Sequence, residues 1–297
     1  MPAKHSLDLP YIRREQRRHF WLYDVVPAAI SVVSIPLLLR LQLTAADAWI
    51  FLGMWFFTGI GVEVGYHRYF SHRAFKAKPW VEVMLIILAS FSGQGPVIAW
   101  ASNHRHHHRF SDATEDTHSP VTRSAGRSTA MRRFFHSHLF WKYEYAYPNP
   151  SIYVRDWAQN SRIKVWSARY PYLVLVGLAV PALLGAIASG TWTGILRGFL
   201  LGGVVRLTLS QHLTWSINSI CHLVGSRRYH TTDQSRNVAW LAIPTLGGSW
   251  HNNHHAYPQS ATNAHRFFEL DLSYLFIRGL QILKQVSDVK TERRVDL

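Results

Sequence analysis

The sequence predicts an all-α integral membrane protein, with about four transmembrane helices in two hairpins and a helical cap that holds a His-rich site for two metal ions. Two adjacent pairs of apolar runs have the length that a spanning helix needs. The composition is 48% hydrophobic and 16% charged, which suits a membrane part joined to a polar part. Three tight clusters of histidine supply the third observation.

The four predicted spans form two hairpins. Residues 25–43 and 48–66 are joined by the short turn 44–47, and residues 171–190 and 192–211 are joined by one residue. Lipid offers no hydrogen-bond partner to a bare backbone, so apolar runs of this length are expected to be helical. We predict one membrane domain over 25–297.

The charged flanks predict the orientation. Residues 1–24 form a basic arm without the apolar core and cleavage site of a signal peptide, so we expect it to be retained. Arg13, Arg14, Arg17 and Arg18 precede the first span, and Arg293 and Arg294 lie in the C-terminal tail. The positive-inside rule then places both termini at the cytoplasmic face. The positive charge would also suit a protein that binds nucleic acid, but no nucleic-acid-binding motif accompanies it.

The apolar segment over residues 80–92 is ambiguous. It is apolar enough to enter a membrane, but Gly93, Gly95 and Pro96 end it after about a dozen suitable residues. A full span here would place His72 and His104 on opposite sides of the membrane. We therefore predict an interfacial or re-entrant helix.

Eight histidines form the clusters HxxxxH at 67–72, HxxHH at 104–108 and HxxHH at 251–255. With 18 histidines in 297 residues, one HxxHH is expected by chance only about 0.07 times. Imidazole is the commonest neutral nitrogen ligand of iron, copper and zinc, and eight imidazoles are too many for one ion. The pattern predicts a dinuclear metal site.

Helical spacing supports this interpretation. Residues three and four apart share a helix face, so each HxxHH motif offers three imidazoles from one turn. The predicted ligands of the three clusters are His67, His72, His104, His107, His108, His251, His254 and His255. His106 fits no ligand position and is expected beside the ligands or in solvent. The single Cys221 excludes an internal disulfide and an iron–sulfur cluster, so electrons for redox chemistry must come from another protein.

With these motifs in this order, the chain resembles the membrane fatty-acid desaturases, and among them the stearoyl-CoA-type (Δ9) acyl-CoA desaturases. The segments HRYFSH, HRHHHRFSDATEDTH and GGSWHNNHHAYP carry the resemblance, together with NSICH at 218–222. The resemblance implies that His222 is a ninth ligand and that Asn218 reaches a metal through water. It also implies a di-iron centre that uses O2 to remove two hydrogens from a fatty acyl chain, with no catalytic residue beyond the metal ligands.

Further residues are assigned through the resemblance. Gln94, Trp100 and Thr214 match, by spacing, the residues that bend the acyl tunnel in the family. Acidic side chains are expected to orient the imidazoles, and Asp112 and Asp116 are the first candidates. Glu115 is a third candidate, and Glu63 lies one turn before His67, where a carboxylate inside a span suggests function.

Substrate and partners are less determined. Ser102-Asn103 stands where the family often has Arg-Asp facing the carrier's phosphates, and residues 247–250 replace a Gly-Glu-Gly pattern. Acyl-CoA is the expected carrier, with acyl-lipid and acyl-carrier protein open. The expected electron donor is a ferredoxin, cytochrome b5 or flavoprotein reductase, and the expected location is a bacterial inner membrane. Two alternatives remain: a membrane di-iron hydroxylase of alkyl or lipid substrates, and a metal-binding membrane transporter.

Overall fold

The computed structural model describes residues 5–121 and 129–291 of the chain. Within this part, four helices are long and apolar enough to cross a membrane, as predicted. The tail residues Arg293 and Arg294 lie outside the described residues. The four helices are Pro10–Arg40, Ala45–Ser71, Tyr170–Ser189 and Trp192–His222.

The spanning helices present apolar side chains outward. Val33, Leu39 and Ile187 are 77%, 80% and 72% exposed, which suits contact with lipid rather than water. The first hairpin turns at Thr44, whose side chain caps the second helix by accepting from the backbone N–H of Asp47. The membrane part is therefore a helical bundle of two hairpins.

The first spanning helix begins earlier than its apolar run predicts. It starts at Pro10 and continues without a break through the predicted boundary at residue 24 into the span. A π-helical segment at Phe20–Val25 joins the basic part to the apolar part. Hydropathy marks only the stretch that lipid contacts, whereas a helix continues as long as its backbone is hydrogen-bonded. This extension forms one wall of the cavity described below.

The second spanning helix ends in a wide turn that determines how the two histidines of the first cluster are arranged. Residues Gly61–Ser71 are π-helical, and the N–H of His72 bonds to the carbonyl of His67 at 3.2 Å. In a π-helix residues five apart are bonded, so the spacing HxxxxH places both rings on one side. The two ring centroids are 5.0 Å apart.

The helix predicted over 80–92 is found at Pro79–Ser90. Its 12 residues extend about 18 Å, which is too short to cross the apolar core of a bilayer. It packs closely against the second spanning helix at Gly61, where an added Cβ would lie 2.1 Å from the Ala89 nitrogen. Glycine at this position allows the close approach of the two helices.

The cap is built from shorter elements around the ends of the spanning helices. Two short antiparallel pairs join Ser6–Leu7 to Tyr147–Pro148 and Lys76–Ala77 to Val286–Ser287. The described short helical segments are Val97–Phe110, Ala130–Phe135, His136–Phe140, Trp141–Glu144, Pro150–Tyr153, Arg155–Ala158, Ser161–Ala168, Ala239–Leu241, His251–Ala256 and Leu272–Ile282.

Two arginines fasten the cap to the second spanning helix. The buried Arg68 donates to the Ala261 carbonyl at 2.7 Å and to Asp271 at 3.0 Å. Arg105, in the helix that carries the second histidine cluster, donates to the carbonyls of Phe70 and Ser71, both at 2.7 Å. The three histidine clusters are thereby held at one end of the bundle.

Candidate metal centre

The structure brings all nine histidines named from the sequence together at one end of the bundle. They fall into two groups, and within each group the candidate ligand atoms lie within 4.8 Å of one another. Rings of the two groups touch, because His108 stacks on His255 with centroids 4.5 Å apart. The first group is His67, His72, His104, His108 and His254, and the second is His107, His222, His251 and His255.

Helix geometry explains how one motif serves both groups. In Val97–Phe110, His104 and His108 are four apart and face the first group, while His107 faces the second. In His251–Ala256 the assignment is reversed, because His251 and His255 face the second group. Each HxxHH turn therefore lies between two ligand sets.

Four of the nine imidazoles are held by carboxylates through their Nδ1 atoms. The Nδ1 atoms of His67, His107, His222 and His255 lie 3.1, 3.0, 3.0 and 2.6 Å from Glu63, Asp116, Asp112 and Asp233 respectively. A carboxylate can only accept here, so each Nδ1 carries the proton and donates it. The Nε2 atom of the same ring is then left with a free lone pair for a metal.

The donor atoms are arranged as a cation would require. The Nε2 atoms of His67 and His254 are 3.0 Å apart, as are those of His222 and His251. Two unprotonated nitrogens at this distance repel each other unless a cation or proton lies between them. Within the described residues, the buried Nε2 of His255 also has no hydrogen-bond partner. The residues therefore fit a pair of metal ions with nitrogen ligands.

Burial keeps most of the nine candidate ligands in the form that binds metal. It is the largest cause of the lowered pKa of His104, His108, His251 and His254, and neighbouring histidines lower these pKa values further. For His255, burial outweighs the opposing effect of Asp233 and lowers the pKa to about 4. These imidazoles are neutral at physiological pH, which is the state that coordinates a metal.

The acidic candidates named from the sequence have different contacts in the structure. Asp112 and Asp116 each hold an imidazole, and so does Glu63. Glu115 instead accepts a hydrogen bond from Thr114 and is exposed. Asp233 was not found by the sequence reasoning, because no local motif marks an aspartate that meets its histidine 22 positions away.

Two other histidines lie close to the site. His106 belongs to neither ligand group and is buried against Phe110 and Tyr153, rather than solvated. His118 was not singled out from the sequence, although it lies near the second cluster. Its ring is 4.3 Å from that of His107, and together with Asp116 these residues form a third group of candidate ligands.

A cavity of about 700 Å³ reaches the candidate metal ligands at His104. The residues assigned to the acyl tunnel line it and are connected to each other. Trp100 Nε1 donates to Gln94 at 3.2 Å, and Gln94 Nε2 donates to Thr214 at 2.9 Å. The Trp100 ring stacks on that of His104 with centroids 5.0 Å apart, so this network touches the ligand set directly. Asn218 also lines the cavity, one helical turn before His222.

Comparison with known proteins agrees with this site. The fatty acid desaturase family matches residues 10–272. A hex-5-enoyl-[acyl-carrier protein] acetylenase of Moorena producens is 39% identical, covering 97% of this chain and 92% of the relative. A delta-9 acyl-lipid desaturase of Arabidopsis thaliana is 34% identical, covering 90% and 82%. An sn-1 stearoyl-lipid 9-desaturase of a Synechocystis species is also 34% identical, covering 78% and 68%.

Three independent features of the structure fit these relatives: four apolar spanning helices, a cluster of mostly buried imidazoles and a cavity that reaches this cluster. The metal-binding motifs all lie inside the matched region. The chain belongs to the fatty acid desaturase family and is an oxidoreductase that acts on fatty acyl chains.

Proposed function

We propose that this protein uses O2 to introduce a double bond at the Δ9 position of a fatty acyl chain, at a centre of two iron ions. The observation that carries the proposal is the division of nine buried or partly buried histidines into two adjoining groups at the end of an acyl-sized cavity. Iron is the metal that the desaturase resemblance implies, and imidazole ligands suit it.

In this proposal the histidines of the two groups bind the irons directly, and Asn218 reaches one of them through water. Bound iron would supply the activation of O2. Overall, a CH2–CH2 unit of the chain loses two hydrogens, and O2 with two electrons and two protons from the donor becomes two waters. The protein's own residues hold both the metal centre and the acyl chain. At the centre, the imidazoles are oriented by the carboxylates of Asp112, Asp116, Glu63 and Asp233.

The cavity residues would select which carbons meet the metal. Gln94, Trp100 and Thr214 form a hydrogen-bonded wall beside His104. A wall fixed in this way would hold an apolar chain bent in one position, which reaction at a single pair of carbons requires. We assign the three residues to substrate binding.

Three carriers of the acyl chain are to be tested: CoA, a glycerolipid and an acyl-carrier protein. Acyl-CoA follows from the stearoyl-CoA-type motifs, whereas relatives are named for lipid-bound and carrier-protein-bound chains. Ser102 is not free to contact a phosphate, because it is buried and donates to the Pro148 carbonyl at 3.0 Å. The same acyl chain must therefore be presented on CoA, on glycerolipid and on acyl-carrier protein.

We further propose that the site faces the cytoplasm of a bacterial inner membrane, and that electrons come from a ferredoxin, a cytochrome b5 or a flavoprotein reductase. The basic residues beside the first span support this orientation. Membership of an oxidoreductase family argues against the transporter alternative.

The test is mass spectrometry of lipids from cells that express the wild type or His255→Ala, with double bonds located by chemical derivatisation. We expect new monounsaturated chains with one double-bond position in the wild type only, because His255 belongs to the second ligand group. The variant should still insert into the membrane. His230→Ala is the matched control, since His230 is exposed and belongs to neither group. Hydroxylated chains would support the hydroxylase instead, and full activity of His255→Ala would contradict the ligand assignment.

A further inference from the structure

A buried ion pair lies in the wall of the acyl cavity, away from the metal ligands. Lys142 Nζ donates to Asp24 Oδ1 at 2.5 Å, and the two side chains are 10% and 0% exposed. Asp24 comes from the first spanning helix, and Lys142 lies in the short helix Trp141–Glu144. Lys142 is one of the residues that line the cavity.

Stability alone explains this pair poorly. Removing two charges from water costs several kcal/mol per ion, and a well-packed apolar pair often stabilises a protein as much or more. Aromatic rings lie in the wall near Lys142, and its ammonium is 4.9 Å from the centroid of the Trp215 ring. A charged pair in such a wall is better explained by a polar group that binds beside it.

Contacts of its neighbours connect Lys142 to the candidate metal centre. Its neighbour Trp141 packs against His118 with ring centroids 5.0 Å apart, and His118 in turn contacts the ligand His107. On the other side, Trp215 directly follows Thr214 of the hydrogen-bonded wall. The ammonium therefore borders the same cavity as the residues that contact the metal ligands.

The chemistry of the pair indicates which group it would bind. The ammonium has three N–H donors, and one of them is used by Asp24. Because Asp24 already balances the charge, a phosphate or carboxylate would bring an uncompensated charge into the cavity. A neutral carbonyl oxygen needs only a donor. The acyl carbonyl is present in an ester and in a thioester alike, so it is shared by every carrier considered above.

We propose that Lys142, fixed by Asp24, donates a hydrogen bond to the carbonyl oxygen of the bound acyl group and so sets which carbons of the chain lie at the metal centre. The inference rests on the proposed function, because it takes a fatty acyl ester or thioester as the occupant of the cavity. It names Lys142 as a substrate-binding residue that determines the position of reaction.

The test compares two probes that differ by one carbonyl oxygen. Binding of S-octadecanoyl-N-acetylcysteamine and of its thioether, S-octadecyl-N-acetylcysteamine, is measured on the metal-loaded protein without O2 or electron donor. We expect the wild type to bind the thioester about tenfold more tightly than the thioether, as a hydrogen bond from a charged donor gives. In Lys142→Met the difference should fall to about twofold or less, while affinity for the thioether stays unchanged.

Two further variants keep the test decisive. The double variant Asp24→Asn/Lys142→Met avoids leaving a buried unpaired carboxylate and should also lose the discrimination. Lys164→Met is the matched control, since Lys164 is exposed, and it should keep the discrimination. Equal affinity of the wild type for both probes would overturn the inference. A parallel loss of both affinities in the variants would also overturn it, because that result indicates a structural role.

The product assay separates this inference from the proposed function. If the wild type makes a double bond but does not discriminate between the probes, only the role of Lys142 fails. If the wild type makes no double bond with any carrier and donor, the proposed function fails, and the inference fails with it. When both hold, Lys142→Met should yield more than one double-bond position, whereas Lys164→Met should yield one.

Discussion

At the scale of single residues, carboxylates fix four of the nine imidazoles in the candidate metal centre. One ring of the first group and three rings of the second are fixed through Nδ1, so the direction of their Nε2 lone pairs is set before any metal binds. The shortest of these contacts is that of His255 with Asp233, at 2.6 Å. A ring without its carboxylate could rotate or adopt the other tautomer.

Replacing Asp233 with Asn should weaken metal binding. We expect about a 10–100-fold loss of metal affinity, because the amide cannot hold the Nδ1 proton of His255 as the carboxylate does. Titration of the detergent-solubilised protein with a chelator measures this loss. Glu115→Gln is the control, since Glu115 contacts Thr114 and no ligand, and it should retain wild-type affinity. Unchanged metal content of Asp233→Asn at the same chelator concentration would contradict the role.

Replacing Thr214 with Leu should change which chains are accepted. Thr214 lines the main cavity and also a much smaller one of about 20 Å³, and it accepts the hydrogen bond of Gln94. A bulkier apolar residue would break this bond and narrow the passage. We expect an altered chain-length or double-bond distribution in the lipid profile. A product spectrum identical to the wild type would count against the tunnel assignment.

At the scale of elements, the ends of the spanning helices position the site. The π-helical end of the second helix aligns His67 with His72, and the fourth helix continues past its apolar run to deliver His222. The first helix likewise extends beyond the lipid-facing stretch and lines the cavity. Hydropathy locates the membrane part of such helices, but it does not locate their functional extensions.

Gly61 provides a test of how these elements pack. Gly61→Ala would place a Cβ 2.1 Å from the backbone nitrogen of Ala89, so the helix Pro79–Ser90 would have to move. Overpacking of this kind costs about 1–3 kcal/mol, and each kcal/mol corresponds to roughly 2–4 °C in melting temperature. Gly53→Ala on the same helix is the control, because nothing lies within 4 Å of its added Cβ. Equal thermal stability of the two variants would contradict the close packing.

At the scale of the whole molecule, one buried cation joins the helices around it. Arg206 of the fourth helix is fully buried and donates to the carbonyls of Gly202 at 3.1 Å and Gly177 at 2.8 Å, and also to that of Phe91. These carbonyls belong to the fourth and third spanning helices and to the end of the helix Pro79–Ser90. Arg206 therefore links the second hairpin to the segment that leads into the cavity.

Arg206→Leu should destabilise the whole bundle. The substitution leaves carbonyls without donors where water is scarce, which costs about 1–3 kcal/mol for each group. The stability of Arg206→Lys should lie between that of the wild type and that of Arg206→Leu, because lysine keeps the charge but offers fewer directed donors. Thermal unfolding in detergent tests this, and we expect the melting temperature to fall in the order wild type, Arg206→Lys, Arg206→Leu. Stability of the Leu variant equal to that of the wild type would show that these bonds contribute nothing.

The sequence by itself determined the four spans and the family, because hydropathy and motif spacing are local patterns. The spacing of histidines also predicts eight of the candidate ligands, and the family resemblance adds His222 as the ninth. Only the tertiary structure decided how the histidines divide into two groups, that Asp233 holds His255 and Asp112 holds His222, and that Asp24 and Lys142 meet in the cavity wall. These contacts join residues from different elements, and Lys142 lies 118 positions from Asp24. Such pairs are set by how helices pack against one another, which no spacing along the chain records.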